Sequence, residues 1–283
     1  MRSRPFLGAF VTPAALCAVA LVAALLAILQ YSVRMHVPGS LEPGDYTLAN
    51  FVALLKPLYA RVFFDTAWIC LLTAFATLLA GYPVAYALVH TKRPFVKGLI
   101  LIIVVTPLFL GEVVRTYSWI IVLGNTGFIN SVLLMLGLIA SPIQLLFTTF
   151  GVVLALVHVT LPVMVVMLAA ALAHIDPAYE RAAASLGASP LRAFLTVTLP
   201  LSTPGILAGV TTAFAWTFSA FATPQLIGGG RVNMVSNLVY QLGFASFNFP
   251  FAAALSVAGL VMTFTLLGLI RLGTRRFENV TQH

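Results

Sequence analysis

Glu112 and Arg115 interrupt an otherwise apolar stretch, three residues apart and therefore on one face of a helix. Ionisable groups inside a membrane are functional candidates by default. Two chemistries fit: Glu112 meets a cationic solute, or the two side chains neutralise each other facing a helix bundle. Asp65 admits the choice between a solute contact and a plain helix start. Tyr117, Trp119, Trp216 and Phe221 can hold an amine through cation–π contact, or can serve as packing and interfacial anchors. The run Thr217-Phe218-Ser219-Ala220-Phe221-Ala222-Thr223-Pro224-Gln225 mixes small, hydroxyl and aromatic side chains ahead of a proline break, which suits a helix that lines a cavity. Within it Phe221, Thr223 and Gln225 join Glu112, Tyr117, Trp119 and Trp216 as candidate solute-path residues.

Enzymatic chemistry finds no foothold. There is no Ser/His/Asp set and no carboxylate pair in a polar pocket. His158 and His174 stand sixteen residues apart, too far to share a metal, and read as satisfied bundle or interface residues. None of the three lysines follows a glycine, so the Gly-x4-Gly-Lys phosphate loop is absent and the chain cannot hydrolyse ATP by that chemistry. Cys17 and Cys70 lie in apolar segments and read as small core residues without a disulfide or metal role.

The elements that must position these groups are membrane helices. Of 283 residues, 61% are hydrophobic and 8% charged, against about 25% charged in a soluble domain. Charge-free stretches cover 5–33, 66–89 and 232–270, each long enough for the ~20 residues a bilayer span needs. The expectation is an all-α polytopic membrane protein, one domain over 1–283, with six spans at about 11–33, 62–89, 98–123, 145–172, 204–226 and 249–272. The N-terminal apolar run exceeds a signal-peptide core and reads as an uncleaved first helix. The second span is long and should tilt or bend, with Gly81-Tyr82-Pro83 available for the bend.

The net charge of +8 does not point to nucleic acid, because the bases sit in short loops and at the chain ends. Arg2, Arg4, Lys92, Arg93, Lys97, Arg181, Arg192, Arg271, Arg275 and Arg276 fall on one side. Arg34, Lys56, Arg61 and Arg231 fall on the other. The positive-inside rule puts the first set, both termini and the loop at 176–203 in the cytoplasm. On the outer side, 48–55 reads as a short interfacial helix, and the glycine-rich 125–141 loop as one that dips toward the membrane.

The cytoplasmic loop is the most specific feature. Asp176-Pro177 is an N-cap followed by proline at the first helical position. Ala178 to Leu186 are mostly good helix formers, Gly187 suits a left-handed C-terminal cap, and Ser189-Pro190 repeats the start signal. A second short helix should run to about Leu199, with Pro200 and Pro204 breaking the chain before the fifth span. Alanines and a glycine allow close approach to a partner, with Leu186, Phe194 and Leu195 supplying apolar contact. An ordinary amphipathic interfacial helix is the plainer alternative.

The Ala-Ala-x3-Gly-x9-Val-x-Leu-Pro spacing across 176–203 resembles the coupling loop of type I ABC importer permeases. Gly81-Tyr82-Pro83-Val84-Ala85-Tyr86, Arg115-Thr116-Tyr117-Ser118-Trp119, Gly127-Phe128-Ile129-Asn130, Leu161-Pro162 and Gly228-Gly229-Gly230 resemble the spermidine/putrescine branch. The resemblance implies the type I permease fold, with a cytoplasmic coupling helix between spans 4 and 5. It implies that Glu180, Arg181, Ala182, Ala183, Leu186, Gly187, Ala188, Ser189, Val197, Leu199 and Pro200 form the ATPase-coupling surface. The family motif opens with Glu where this chain has Arg181, with Glu180 one place earlier, and Val197 holds an Ile position. Either Glu180 compensates from an adjacent direction or the partner carries the opposite charge.

By the same resemblance the partners are a second homologous permease, an ATPase dimer that binds ATP and Mg, an extracytoplasmic solute-binding protein and the bilayer of a bacterial inner membrane. The chain itself binds no cofactor or metal. The cargo implied is putrescine or spermidine, although Gln225 stands where such permeases often place a carboxylate nearby. An opine, an amino-acid-like compound, an aminophosphonate or ferric iron are the other cargoes of this class. An ion-coupled secondary transporter is the reading of a different class, and the scarcity of acids in the spans disfavours it.

Overall fold

The structure, a computed structural model, describes the backbone of residues 4–281 and the side chains of residues 11–272. Arg2 lies outside the described residues, as do the side chains of Arg4, Arg275 and Arg276 that entered the orientation argument. The described chain is helical: α1 (Arg4–Ser32), α2 (Ala49–Leu54), α3 (Pro57–His90), α4 (Pro94–Phe109), α5 (Glu112–Leu123), α6 (Phe128–Met135), α7 (Thr149–Ala173), α8 (Pro177–Ser185), α9 (Pro190–Ala193), α10 (Leu199–Leu201), α11 (Thr203–Ser219), α12 (Ala222–Gly228), α13 (Val235–Tyr240) and α14 (Phe249–Thr281). Among the described residues five helical stretches are long and apolar enough to cross a bilayer. A sixth is added if the pair Pro190–Leu201 and Thr203–Ser219, bent by 64°, counts as one span.

The breaks correct several expected boundaries. The third span, expected over 98–123, divides at Leu110-Gly111, where both residues are extended (ψ 132° and 145°). Pro107 lies in the last turn of α4, and its carbonyl accepts from Arg115 Nη1 at 2.8 Å as well as from Leu110 N at 3.4 Å. The fifth span ends at Ser219, earlier than the proline-marked break suggested. Pro224 explains this, because its ring would clash with the Ala220 carbonyl in a continuous helix, and Ala220 is extended (ψ 129°). The fourth span starts at Thr149, not 145; Thr148 caps it by accepting from Gly151 N at 3.1 Å. Asp65 lies more than two turns inside α3, so it is not a helix-start residue. Gly81-Tyr82-Pro83 does not interrupt α3, which runs on to His90.

The chain packs as two compact units, 62–234 with 263–283, and 1–61 with 235–262. In the larger unit α7 is the axis, and α4, α11 and α12 pack against it. The close seam is α7 with α11, whose Gly205-x3-Gly209 spacing puts two small residues on one face. A Cβ at Gly205 would overlap the Ala171 Cβ, and one at Gly209 would come within 2.5 Å of Met164 Sδ. Phe214, Met164, Leu156 and Leu168 fill the interior. Buried hydroxyls also bond between helices: Thr77 with Thr160 at 2.8 Å and Thr116 with Thr223 at 3.3 Å. Both histidines are satisfied as expected, His158 by Trp119 Nε1 (3.1 Å) and His174 by the Ala170 carbonyl (2.7 Å).

Two of the branch-like motifs prove architectural. Asn130 is fully buried and ties the 124–143 segment together, donating to Gly124 O (3.0 Å) and Ile143 O (2.9 Å) and accepting from Ile143 N (2.8 Å). Gly229 and Gly230 are left-handed (φ 53° and 76°), and a Cβ on Gly229 would strike the Phe147 ring.

In the smaller unit, Asn50 Nδ2 donates to Ser32 O (2.9 Å) and Arg34 O (2.8 Å), closing the C-terminal end of α1. Arg34 lies over the Tyr46 ring at 3.8 Å. The expected 48–55 helix is α2. Cys70 is buried as expected, while Cys17 is exposed on α1.

Candidate functional site: the two-helix elbow and the broken spans

The segment 176–203 folds as an elbow whose turns are built by its own caps. Asp176 Oδ1 accepts from Ala178 N at 2.8 Å, and Pro177 begins α8. At the other end Gly187 is left-handed (φ 84°). Gly187 N bonds Ala184 O (2.9 Å) and Ala188 N bonds Ala183 O (3.0 Å), the paired bonds of a Schellman cap. Ser189 Oγ, at 3.4 Å from Arg192 N, starts α9. The second arm differs from expectation. It is α-helical only to Ala193, passes through a π-turn at Phe194–Thr198, and continues to Leu201. Leu199 N reaches back to Phe194 O, so the ladder lengthens by one residue just before Pro200, which has no N–H to offer. Pro200 is thereby accommodated rather than breaking the chain, and the bend falls at Ser202.

The elbow is wired to the C-terminal end of α3. Phe194 meets Tyr82 and Tyr86 edge-on, each at 5.6 Å between ring centroids. Tyr82 Oη and Ser202 Oγ share a buried hydrogen bond of 2.8 Å. Within the elbow, Thr198 Oγ1 donates to Glu180 Oε1. Phe194, expected to serve a partner, therefore faces inward, and Glu180 is turned toward the second arm. No residue of α8 is buried. Leu186 is 90% exposed and Leu191 68% exposed. Arg181, Ala182 and Ser189 are exposed, Ala183, Ala188, Val197, Leu199 and Pro200 half-buried. Outward lie apolar and basic side chains; inward lie Phe194, Glu180 and Thr198.

The Tyr82 contact yields a prediction. Tyr82→Phe removes one hydrogen bond, worth about 1 kcal/mol, while Ser202 keeps its bond to Leu199 O at 2.9 Å. The variant will fold, and solute moved per ATP consumed in proteoliposomes will fall while ATP turnover persists. Unchanged stoichiometry would remove α3 from the transmission path.

The solute-path candidates divide. α5 and α12, each opening at a break, are joined by Thr116 and by Thr223, which is 2% exposed. Trp119 is turned onto α7 through His158. Glu112, Tyr117 and Trp216 are exposed, and Phe221 and Gln225 are half-buried. The expected Glu112–Arg115 pair does not form: Arg115 is buried and spans the α4–α5 break to Pro107, while Glu112 stays at the exposed start of α5. A cation bonded to a last-turn carbonyl at a helix C-terminus is the stronger use of that guanidinium. Sequence reasoning missed the Gly205-x3-Gly209 seam and the Tyr82–Ser202 bond. The first carried a visible signal in its spacing; the second joins residues 120 apart and carried none.

Among the described residues, broken and continuous apolar helices long enough to span a bilayer, with an exposed, capped elbow, make this a polytopic membrane protein. The chain belongs to the family of binding-protein-dependent transport system inner membrane components, whose model matches residues 77–279. It is a multi-pass inner-membrane permease subunit of the ABC importer class. It is 33% identical over 221 residues to the spermidine/putrescine transport system permease protein PotB of Haemophilus influenzae, covering 78% of this chain and 77% of the relative. Against PotB of Escherichia coli K12 it is 34% identical over 212 residues, covering 75% and 77%. Against the inner membrane ABC transporter permease protein YdcU of Escherichia coli K12 it is 30% identical over 240 residues, covering 80% and 76%. In fold it is similar to a chain of the bacterial alginate ABC transporter, solved with an alginate pentasaccharide-bound periplasmic protein (TM-score 0.77, 18% identity, 97% and 95% covered). A likeness to the MetNI methionine ABC transporter is lower (TM-score 0.56, 19% identity, 80% and 98% covered).

Proposed function

We propose that this permease moves a polyamine of the putrescine or spermidine kind inward, as half of a pore completed by a second homologous permease. Two ATPase subunits, which bind ATP and Mg, sit beneath it, and an external solute-binding protein delivers the cargo. Both termini and the 176–203 elbow face the cytoplasm. The chain itself needs no cofactor. Closure of the ATPases on ATP pushes the elbow. Through Phe194, Tyr82 and Ser202 the push reaches α3, and through the π-turn and the bend at Ser202 it reaches α11 and α7, exchanging outward and inward access by rigid-body motion.

The observation that carries the coupling half of this reading is the exposed two-arm elbow rigidly capped at Asp176 and Gly187. Its identity to the PotB proteins supports the cargo. The test is uptake of labelled putrescine and spermidine into proteoliposomes holding the whole complex, with ATP or an ion gradient as the sole driver. ATP-dependent uptake saturating with loaded binding protein is expected. Uptake driven by a gradient alone contradicts the class. ATP-driven uptake of an aminophosphonate, an opine, an amino-acid-like compound or ferric iron in preference to polyamines contradicts only the cargo.

A further inference from the structure

We propose that the groove between the C-terminal end of α1 and the start of α14 seats one acyl chain of a membrane phospholipid, with the phosphate of that lipid on Arg34.

The groove lies wholly within the smaller unit and measures about 450 Å³. Small residues shape it: Ala27 on α1, Gly243 in a π-turn at Gln241–Ala245, and Ala252 and Ala253 on α14. Its aromatic lining is Tyr31, Phe244 and Phe249. Phe244 is held by stacking on Tyr240, with ring centroids 5.2 Å apart, and Phe249 meets Phe247 edge-on at 6.3 Å. The Ser256 hydroxyl already donates to Ala252 O at 2.9 Å. Apart from the Tyr31 hydroxyl, the lining side chains therefore ask an occupant for no polar contact.

Both helices that border the groove are long and apolar enough to cross a bilayer, over Val11–Ser32 and Phe249–Leu272. The medium against them is hydrocarbon, and no residue in the apolar window of α1 is buried. From Phe249 to Ser256 the helix rises about 10 Å, within the ~15 Å of hydrocarbon that half a bilayer core supplies. The groove begins where one span ends and the other starts, so it runs from headgroup level toward the midplane, as an acyl chain does.

Arg34 stands directly after that end of α1, its backbone N–H bonded to Tyr31 O at 3.1 Å. The guanidinium is held over the Tyr46 ring, with Nη1 donating to Gly44 O (3.3 Å) and Nη2 to Tyr46 Oη (3.1 Å). It makes no ion pair among the described residues; Glu42 and Asp45, the acids of the same segment, are exposed and neither pairs with it. Nor is it needed to close the helix end, because Asn50 donates to Ser32 O and Arg34 O. Of the five N–H groups of a guanidinium two are engaged, and the buried Nε–H has no protein acceptor. A phosphodiester supplies the acceptors such a fork takes up. A phospholipid brings a phosphate and a hydrocarbon chain together at this depth. A basic side chain that only reached for the water layer would need neither the fixed geometry nor the groove beside it.

The test places the complete transport complex in vesicles containing phosphatidylglycerol with a photoactivatable diazirine midway along one acyl chain. After illumination, labelled positions are mapped by peptide mass spectrometry. Wild type should carry more label at 27–31 and 243–256 than at Leu16 and Val19, exposed positions elsewhere on α1. Ala27→Trp fills the groove from an exposed position; it should remove the groove label and leave Leu16 and Val19 as they were. Arg34→Gln should lower the groove label about tenfold at limiting probe, the scale of one charge-assisted hydrogen bond, and Arg34→Lys should restore part of it. Equal labelling of the groove and of Leu16 and Val19, insensitive to both variants, is contact with bulk lipid and overturns the proposal. A groove left unlabelled while Leu16 and Val19 are labelled is covered by protein, the second permease included, and overturns it as well. Groove label lost in Ala27→Trp but unchanged in Arg34→Gln overturns the phosphate contact.

Discussion

Gly187→Trp will abolish ATP-driven uptake while the chain still inserts, folds and assembles with its permease partner. Gly187 sits at φ 84°, with nothing within 4 Å of where a Cβ would lie. A Cβ there meets no atom beyond its chain neighbours. The only internal cost is that of a left-handed non-glycine residue, roughly 1–2 kcal/mol, borne by a surface loop far from the α7 core. The indole then projects beside Leu186 from the surface proposed to seat the ATPase, and holds α8 off its partner. Gly187→Ala separates the two effects: it carries the backbone strain without the bulk, and it should keep most of the wild-type uptake. If Gly187→Ala and Gly187→Trp lose transport equally, the cap geometry matters and docking clearance does not. Full uptake by Gly187→Trp would contradict docking at this turn.

Gly205→Leu will fail at an earlier stage, in folding rather than coupling. Its Cβ would overlap the Ala171 Cβ and stand 3.3 Å from the Met167 carbonyl, so the α7–α11 seam must open along its length. Overpacking of this kind costs roughly 1–3 kcal/mol, and a loss of one or two kcal/mol changes the folded-to-unfolded ratio about 5–30-fold. The expected result is a several-fold drop in monodisperse protein extracted from membranes, measured by size-exclusion chromatography. Gly98→Leu, at a glycine with nothing within 4 Å, serves as the neutral control. Ala171→Gly combined with Gly205→Leu should recover part of the loss, because the two positions share one contact and are not additive. Wild-type yield from Gly205→Leu would show that α11 is not seated on α7 as described.

Much of the fold was legible because lipid imposes a simple rule: backbone groups must be satisfied within each helix, so apolar length alone marks the spans. The local punctuation of the elbow was legible for the same local reason. Asp176-Pro177, Gly187 and Ser189-Pro190 each act on neighbours in sequence, and each stands where its chemistry indicates. What depended on distant partners was not. The apolar run over 98–110 hid the break at Leu110-Gly111, and a break at Ser219–Ala220 was displaced from the proline that causes it. Pro200 reads as a stop until the π-turn before it is seen. Glu112 and Arg115 have the spacing of a pair, but the nearby helix end at Pro107 competes for the guanidinium and wins. Glu180 and Arg181 are adjacent in sequence, and only the fold shows that the Glu180 carboxylate accepts from the Thr198 hydroxyl while Arg181 stays exposed.

Nucleotide-driven movement delivered at the elbow is the claim from which all the transport mechanics descend. It is tested most directly by replacing Leu186, 90% exposed at the turn, with cysteine in a Cys17→Ser/Cys70→Ala background and applying a short bifunctional thiol reagent to inside-out membrane vesicles. The account predicts an adduct with the mass of this chain plus one ATPase subunit, its yield altered by ATP. No adduct, together with modification of the Leu186→Cys thiol by a membrane-impermeant maleimide in intact cells, would place the elbow on the outer face and contradict it.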